Sequence, residues 1–227
     1  MKLSGEALMG NAKFGHDIEI VNKICKEIKS IHDDGIKICL VVGGGNICRG
    51  VSASTTGMER VNADYIGMLA TVINALALQS AFELIGVDSR VLSAINISTI
   101  CEPYNRRNAL EHMANGKIVI FAAGIGSPFF STDTAAVLRA IETHCDVLLK
   151  ATQVDGVYSA DPKKDIRAKK YHSISYQEVI AHDLTVMDIS SISLAQENHL
   201  PIIVFSMHNE GELAKVLKGQ GEFTTIK

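Results

Sequence analysis

Two apolar runs that end on glycines constrain this chain more than any other feature. Ile36 to Val42 is continuous rather than alternating, rich in β-branched residues, and stops at Gly43-Gly44-Gly45. Lys117 to Ala122 does the same ahead of Ala123-Gly124-Ile125-Gly126. A strand that is apolar on both faces must be covered on both, as in a parallel sheet. Helical spacing fills the gaps between such runs. Ile20, Val21, Ile24, Ile28 and Ile31 follow Asp17 as a cap and stop at Gly35. Met58, Val61, Tyr65, Met68, Leu69, Val72 and Leu76 mark a longer helix ending near Gly86. Further strands are predicted over Val87 to Ala94, Val147 to Leu149, Pro201 to Phe205 and Phe223 to Ile226. Further helices are predicted over Asn105 to Asn115, from a Thr132 or Asp133 cap through Ala140, from an Asp188 cap through Glu197, and over Glu212 to Lys218. This alternation predicts an α/β fold: a three-layer α/β/α sandwich with a mainly parallel central sheet, in one domain spanning residues 1–227.

Composition excludes several classes of function. The formal net charge is −3, and the basic residues cluster only at Arg167-Ala168-Lys169-Lys170, so a nucleic-acid surface is not expected. The five cysteines (Cys25, Cys39, Cys48, Cys101, Cys145) are odd in number, far apart and without a C-x-x-C pair. They suit neither zinc nor a secreted disulfide framework, and read as reduced thiols of a cytoplasmic protein. No signal peptide or uninterrupted membrane-spanning run is present, so no membrane partner is expected.

Ligands of open α/β sheets bind at the carboxyl ends of the strands, where both glycine loops and Lys150 fall. Consecutive unobstructed amides form an anion site, and Arg49 beside them can clamp a phosphate. Taken alone, one such loop reads equally well as a tight turn with a solvated arginine. Gly43-Gly44-Gly45-Asn46-Ile47-Cys48 is neither a Walker loop nor a dinucleotide loop. The second loop runs to Asp133 and delivers its ligand to a helix N-terminus, where backbone donors favour an anion. Two anion loops with Lys2, Lys150, Arg49 and scattered aspartates suit several phosphates. Phosphoryl transfer needs little more than positioning and charge neutralisation, and an aspartate between two lysines can hold them in place. No protein metal cage is expected. Asp155-Gly156 reads as a tight hairpin.

Taken together, KLSGE at Lys2, VVGGGNICRG, GMLAT from Gly67 to Thr71, AGIGSPFFSTDTAA, LLKATQVDGVYSADP and VMD from Val186 to Asp188 closely resemble the bacterial-type uridylate kinases of the amino-acid kinase family. The match spans nearly the whole chain in order. GGGN is shared across the wider family, whereas the PFFSTD loop and the GMLAT helix point to the uridylate branch. The resemblance implies ATP + UMP → ADP + UDP with Mg²⁺, in a homohexamer activated by GTP and inhibited by UTP. It assigns UMP to the N-terminal half and ATP to the C-terminal part. By that likeness Lys2, Leu3, Ser4, Gly5, Gly45 and Arg49 face ATP, while Thr152, Tyr158 and Asp161 line its nucleoside pocket. Gly44 and Arg49 bind the UMP phosphate and Asp64 its ribose, with Ile125, Gly126, Ser127, Pro128, Phe129, Phe130, Ser131 and Thr132 around the uridine. Lys150 stabilises the transferring charge and Asp188 orients the lysines. Gly10, Asn11, Ala12, Lys13, Phe14 and Gly15 match the segment associated with GTP activation.

Three departures from the family pattern carry expectations. Several apolar residues usually precede the lysine that matches Lys2, so the first strand is expected to be truncated and Lys2 to sit on a fraying end. Ile125 replaces a threonine, which removes a hydroxyl and predicts weaker or altered UMP affinity. Ser127 replaces an asparagine and is expected to relax uracil contacts. Two rivals stand beside the kinase reading: a relative that phosphorylates a carboxylate or carbamate, and a non-catalytic nucleotide- or oxyanion-binding assembly.

Overall fold

The computed structural model describes residues 1–48, 57–162, 164–207 and 210–227. The chain opens with β1 (Lys2–Leu3), a 3-10 turn (Gly5–Leu8), α1 (Ile18–Asp33) and β2 (Cys39–Val42). Then come α2 (Arg60–Leu84), β3 (Ser89–Ser93), β4 (Glu102–Pro103), α3 (Arg106–Ala114) and β5 (Ile118–Ala122). Next are α4 (Thr132–Glu142), β6 (Leu148–Thr152), β7 (Val157–Tyr158), β8 (Lys170–Tyr171), β9 (Ser173–Ile174) and α5 (Tyr176–Ala181). The last elements are α6 (Ile189–Glu197), β10 (Ile202–Ser206), α7 (Glu212–Leu217) and β11 (Phe223–Ile226).

Nine of these strands form one sheet in the order β4-β3-β5-β2-β1-β6-β10-β11-β9. Neighbours pair in parallel except β10 with β11. The continuous apolar runs divide their side chains between two cores. Ile118 and Ile120 of β5 pack with Leu40, Val42, Leu78 and Phe82 under α1, α2 and α7. Val119 and Phe121 pack on the opposite face with Val41, Val137, Val179 and Ile192, under α3 to α6. The period-2 alternation of side chains puts neighbouring strand residues on opposite faces, so both layers of helices are needed to keep β5 dry. The three-layer sandwich expected from the sequence is the architecture observed.

Several local expectations are corrected. Lys2 does not fray. It pairs in register with Val41 of β2 and Lys150 of β6 in the middle of the sheet, and Leu3 is fully buried. Two residues suffice because both neighbouring strands supply ladder partners. Neither Thr132 nor Asp133 caps α4; the Ser131 hydroxyl accepts from the amides of Asp133 and Thr134. Asp188 precedes α6 without a side-chain capping bond. Asp155-Gly156 is not a hairpin turn, because β7 pairs with β8 through Val157 and Tyr171. Gly156 is needed there for closeness: a Cβ would lie 2.5 Å from Thr224 Oγ1. Helix α5 was not foreseen. Its six residues are too few for a period, and it is set by a capping box between Ser175 and Glu178. Helix α2 is long and apolar enough to cross a bilayer by length and composition, yet half of that window is buried inside the fold, as in a core helix.

Candidate active site

The carboxyl ends of β1, β2, β5 and β6 deliver four segments to one edge of the sheet. At its centre Lys2 and Lys150 lie side by side on adjacent strands. Asp133, in the first turn of α4, reaches both: Oδ1 is 2.8 Å from Lys2 Nζ and Oδ2 is 2.6 Å from Lys150 Nζ. The three side chains are only 8%, 15% and 11% exposed (Lys2, Asp133, Lys150). Burial pushes the Asp133 carboxyl up, but the two ammoniums outweigh it and hold it below the ordinary carboxylate value. Burial pulls Lys150 below the ordinary lysine value and the Lys2 charge adds to this, against Asp133. Two cations share one carboxylate in a largely dry place. Such a cluster is under-neutralised, and an incoming polyanion completes it.

Both glycine loops rest on α2. A Cβ on Gly44 would lie 2.8 Å from Ala70 Cβ and from the Gly67 carbonyl oxygen, so glycine is required for the loop to sit on this helix. The next turns of α2 supply hydrogen bonds. Thr71 Oγ1 accepts from the Ala123 amide at 2.7 Å, at the start of the second loop. Asn74, fully buried, donates to the Gly43 carbonyl at 2.6 Å and exchanges amide hydrogen bonds with buried Asn46. Asn46 also donates to the Gly15 carbonyl, and His16 Nε2 is 2.6 Å from Asn74 Oδ1. Segment 10–16 is thereby tied to the first glycine loop. From α4, Arg139 donates to the Gly124 carbonyl at 3.4 Å, pairs with Glu142 at 2.6 Å and stacks on Tyr104 at 3.6 Å. In the second loop Gly126 has φ +84° and presses on Ala94.

The remaining site residues fall into three groups. Thr152, Tyr158 and Asp161 line a cavity of about 510 Å³ with Lys2, Ser4 and Lys150. There the Tyr158 hydroxyl donates to Asp155 at 2.7 Å. Asp188 lines an adjoining cavity with Asp133 and Lys150. It raises Lys150 only as a distant charge, and the direct bridge between the lysines is Asp133. Asp64, on α2, accepts from the Phe129 amide at 2.8 Å and holds Arg60 through both carboxylate oxygens. Phe129 (φ +71°) and Phe130 are exposed there, whereas Ile125 packs partly buried against the second core. Leu3 faces the core and can meet a ligand only through its backbone. Arg49 lies outside the described residues.

Sequence reasoning named Asp133 only as a helix cap, and passed over Asn46, Asn74 and Arg139. The STD run at the start of α4 held the signal for Asp133: with Ser131 as cap, the aspartate is free to turn inward. The two asparagines and Arg139 gave no signal in sequence, since their role depends on which loops α2 and α4 meet. Among the described residues no three or more His, Cys, Asp or Glu side chains converge as a metal cage. Asp133 is already committed to two lysines, so this edge does not fit a protein-held metal.

Comparison with known proteins identifies the family. The model of the amino acid kinase family matches residues 1–206. The uridylate kinase of Rickettsia bellii (strain RML369-C) is 58% identical over 227 residues, covering 100% of this chain and 95% of that protein. That of a Wolbachia from Brugia malayi is 57% identical over 225 residues, covering 99% and 91%. Among solved structures, the UMP kinase of Bacillus anthracis superposes with TM-score 0.95 at 39% identity, covering 100% of this chain and 93% of that one. The UMP kinase of Ureaplasma parvum gives 0.94 at 34%, covering 100% and 96%. The chain belongs to the amino acid kinase family, on the branch of the uridylate (UMP) kinases.

Proposed function

We propose that this chain transfers the γ-phosphoryl group of ATP to the phosphate of UMP, giving ADP and UDP. The observation that carries the reading is the buried Lys2–Asp133–Lys150 cluster between two glycine loops. We assign ATP to the cavity lined by Lys2, Ser4, Thr152, Tyr158 and Asp161, with its phosphates reaching Gly5 and Gly45 as the family resemblance implies. UMP is placed along the second loop, its phosphate at Gly44 and Arg49 and its ribose at Asp64. The two nucleotides then meet over the lysines. Transfer needs the phosphates in line and the charge on the moving group neutralised, and preorganised ammoniums do this without reorganisation. Asp133 acts as a positioning residue that fixes both ammoniums, and Asp188 adds negative charge at longer range. Mg²⁺ is commonly carried by substrate phosphates with few protein carboxylates, and we assign it to the nucleotide.

Asp64 already holds the Phe129 amide, so UMP binding at its ribose exchanges that bond for sugar hydroxyls. Segment Gly10–Gly15 is read as the place where GTP acts, with UTP opposing. The hydrogen bonds from Asn46 to Gly15 and from Asn74 to Gly43 support a route from that segment to the phosphate loop. A cytoplasmic setting fits five unpaired cysteines. A coupled ADP-release assay with UMP, CMP and no acceptor tests the reaction. UMP-dependent turnover is expected. ADP release independent of UMP, or turnover with carboxylate or carbamate acceptors, overturns it, and tight binding of both nucleotides without ADP favours a binding-only protein.

A further inference from the structure

A pair of thiols lies at the other end of the sheet, away from the lysines. Cys39 opens β2 and Cys145 sits in the turn between α4 and β6, at the amino ends of two strands that both run parallel to β1. Their sulfurs are 3.7 Å apart, although 106 residues separate them in sequence. Thr143 Oγ1 lies 3.4 Å from Cys145 Sγ and 3.9 Å from Cys39 Sγ. Cys39 is buried, whereas Cys145 is half-buried and both line a cavity of about 520 Å³ with Met1, Met113, Thr143 and Leu149. Of the two residues, Cys145 is the more exposed.

We infer that Cys39 and Cys145 form a peroxide-reactive dithiol that closes to an intramolecular disulfide. The order of attack follows from the surroundings. The sulfur–sulfur contact with Cys39 holds Cys145 below the ordinary thiol value against the effect of burial, while the same contact and burial raise Cys39. Cys145, the more exposed and the more acidic of the two, is the sulfur that attacks, because the thiolate is the nucleophile. It attacks one oxygen of hydrogen peroxide. The S–O bond forms, the O–O bond breaks, and the departing hydroxide takes a proton from solvent. Cys39 then gives up its proton and attacks the Cys145 sulfur. The S–S bond forms, the S–O bond breaks, and hydroxide leaves with that proton as water. Two thiols are oxidised by two electrons and one peroxide is reduced to two waters. Reaching a disulfide bond length needs roughly 1.7 Å of closure between the sulfurs.

The full chain treated with a few equivalents of hydrogen peroxide, then digested without reductant, tests this directly. A cross-linked Cys39–Cys145 peptide pair, two hydrogens lighter and reversed by dithiothreitol, is the expected product. In Cys39→Ser the same treatment should leave a sulfenic acid on Cys145, captured by dimedone, with no cross-link. The inference is overturned if both residues of the unmutated chain stay alkylatable after peroxide. A cross-link that joins a different pair of the five cysteines overturns it as well.

Discussion

Asp133 is the residue whose replacement says most about the site. Asp133→Asn keeps the shape and removes the charge that bridges Lys2 and Lys150. We expect kcat to fall on the order of 100-fold, the scale of losing one preorganised electrostatic group. The pH dependence follows from the signs of the shifts. Lys150 lies below its ordinary 10.5, so it loses its proton, and the activity it supports, at a lower pH than a free lysine would. Taking away Asp133 removes a charge that raises Lys150, so the alkaline limb should move to still lower pH. Lys150→Arg should move that limb up in whatever activity survives, since guanidinium stays charged. For stability the signs differ between the partners. The Asp133 carboxyl is held low, so its contribution is present above the ordinary carboxylate range and is lost as pH falls through its own lower value. Lys150 is depressed, so its buried charge weighs against the fold at neutral pH and is relieved as pH rises. A wild-type alkaline limb that does not shift in Asp133→Asn would remove this account of the lysine pair.

Helix α2 does at the element scale what Asp133 does at the residue scale. One face of it carries the two loops through Gly67, Ala70, Thr71 and Asn74. The GMLAT segment therefore matters as a seat for backbone, and its small residues set how closely the first loop approaches. Gly44→Ala should force loop and helix apart, costing about 1–3 kcal/mol in chemical denaturation, the usual range for overpacking. Ala70→Gly in the same chain should return part of that loss by removing the Cβ at 2.8 Å, though the Gly67 carbonyl remains. No recovery in the double variant would mean that the helix does not set the loop position. The same logic applies to Ile125: its side chain packs on the second core, so a substitution there is expected to act through the position of the loop.

The whole molecule leaves apolar surface on the other side of α2. Tyr65, Ile66, Leu69 and Ile73 are exposed along that helix, and Met58 lies just before it. A row of this kind on a core helix fits a second copy of the chain better than solvent. The row makes α2 the face where a contact between copies is expected. Leu69→Glu with Ile73→Glu should reduce the mass measured by light scattering to that of the monomer while the far-ultraviolet dichroism stays unchanged. An unaltered assembly would place the subunit contacts elsewhere.

The layered fold, most strand positions and both glycine loops were legible in the sequence, because each is written in a local pattern: a period, a cap, a run of β-branched residues. The 3.6-residue spacing marked α1 and α2, and the doubly apolar runs required two covering layers. Lys150 was recognisable at a strand end. What the sequence could not carry was partnership across distance. Asp133 meets Lys2 from 131 residues away, and the sequence alone left it a helix cap until Ser131 took that role in the structure. Two residues of β1 hold firm because β2 and β6 close on them from both sides, whereas local reasoning expected a loose end. Asn46 and Asn74 look like any pair of asparagines until the fold buries them against each other. A buried polar group must find its partner, and only tertiary structure decides which one it finds.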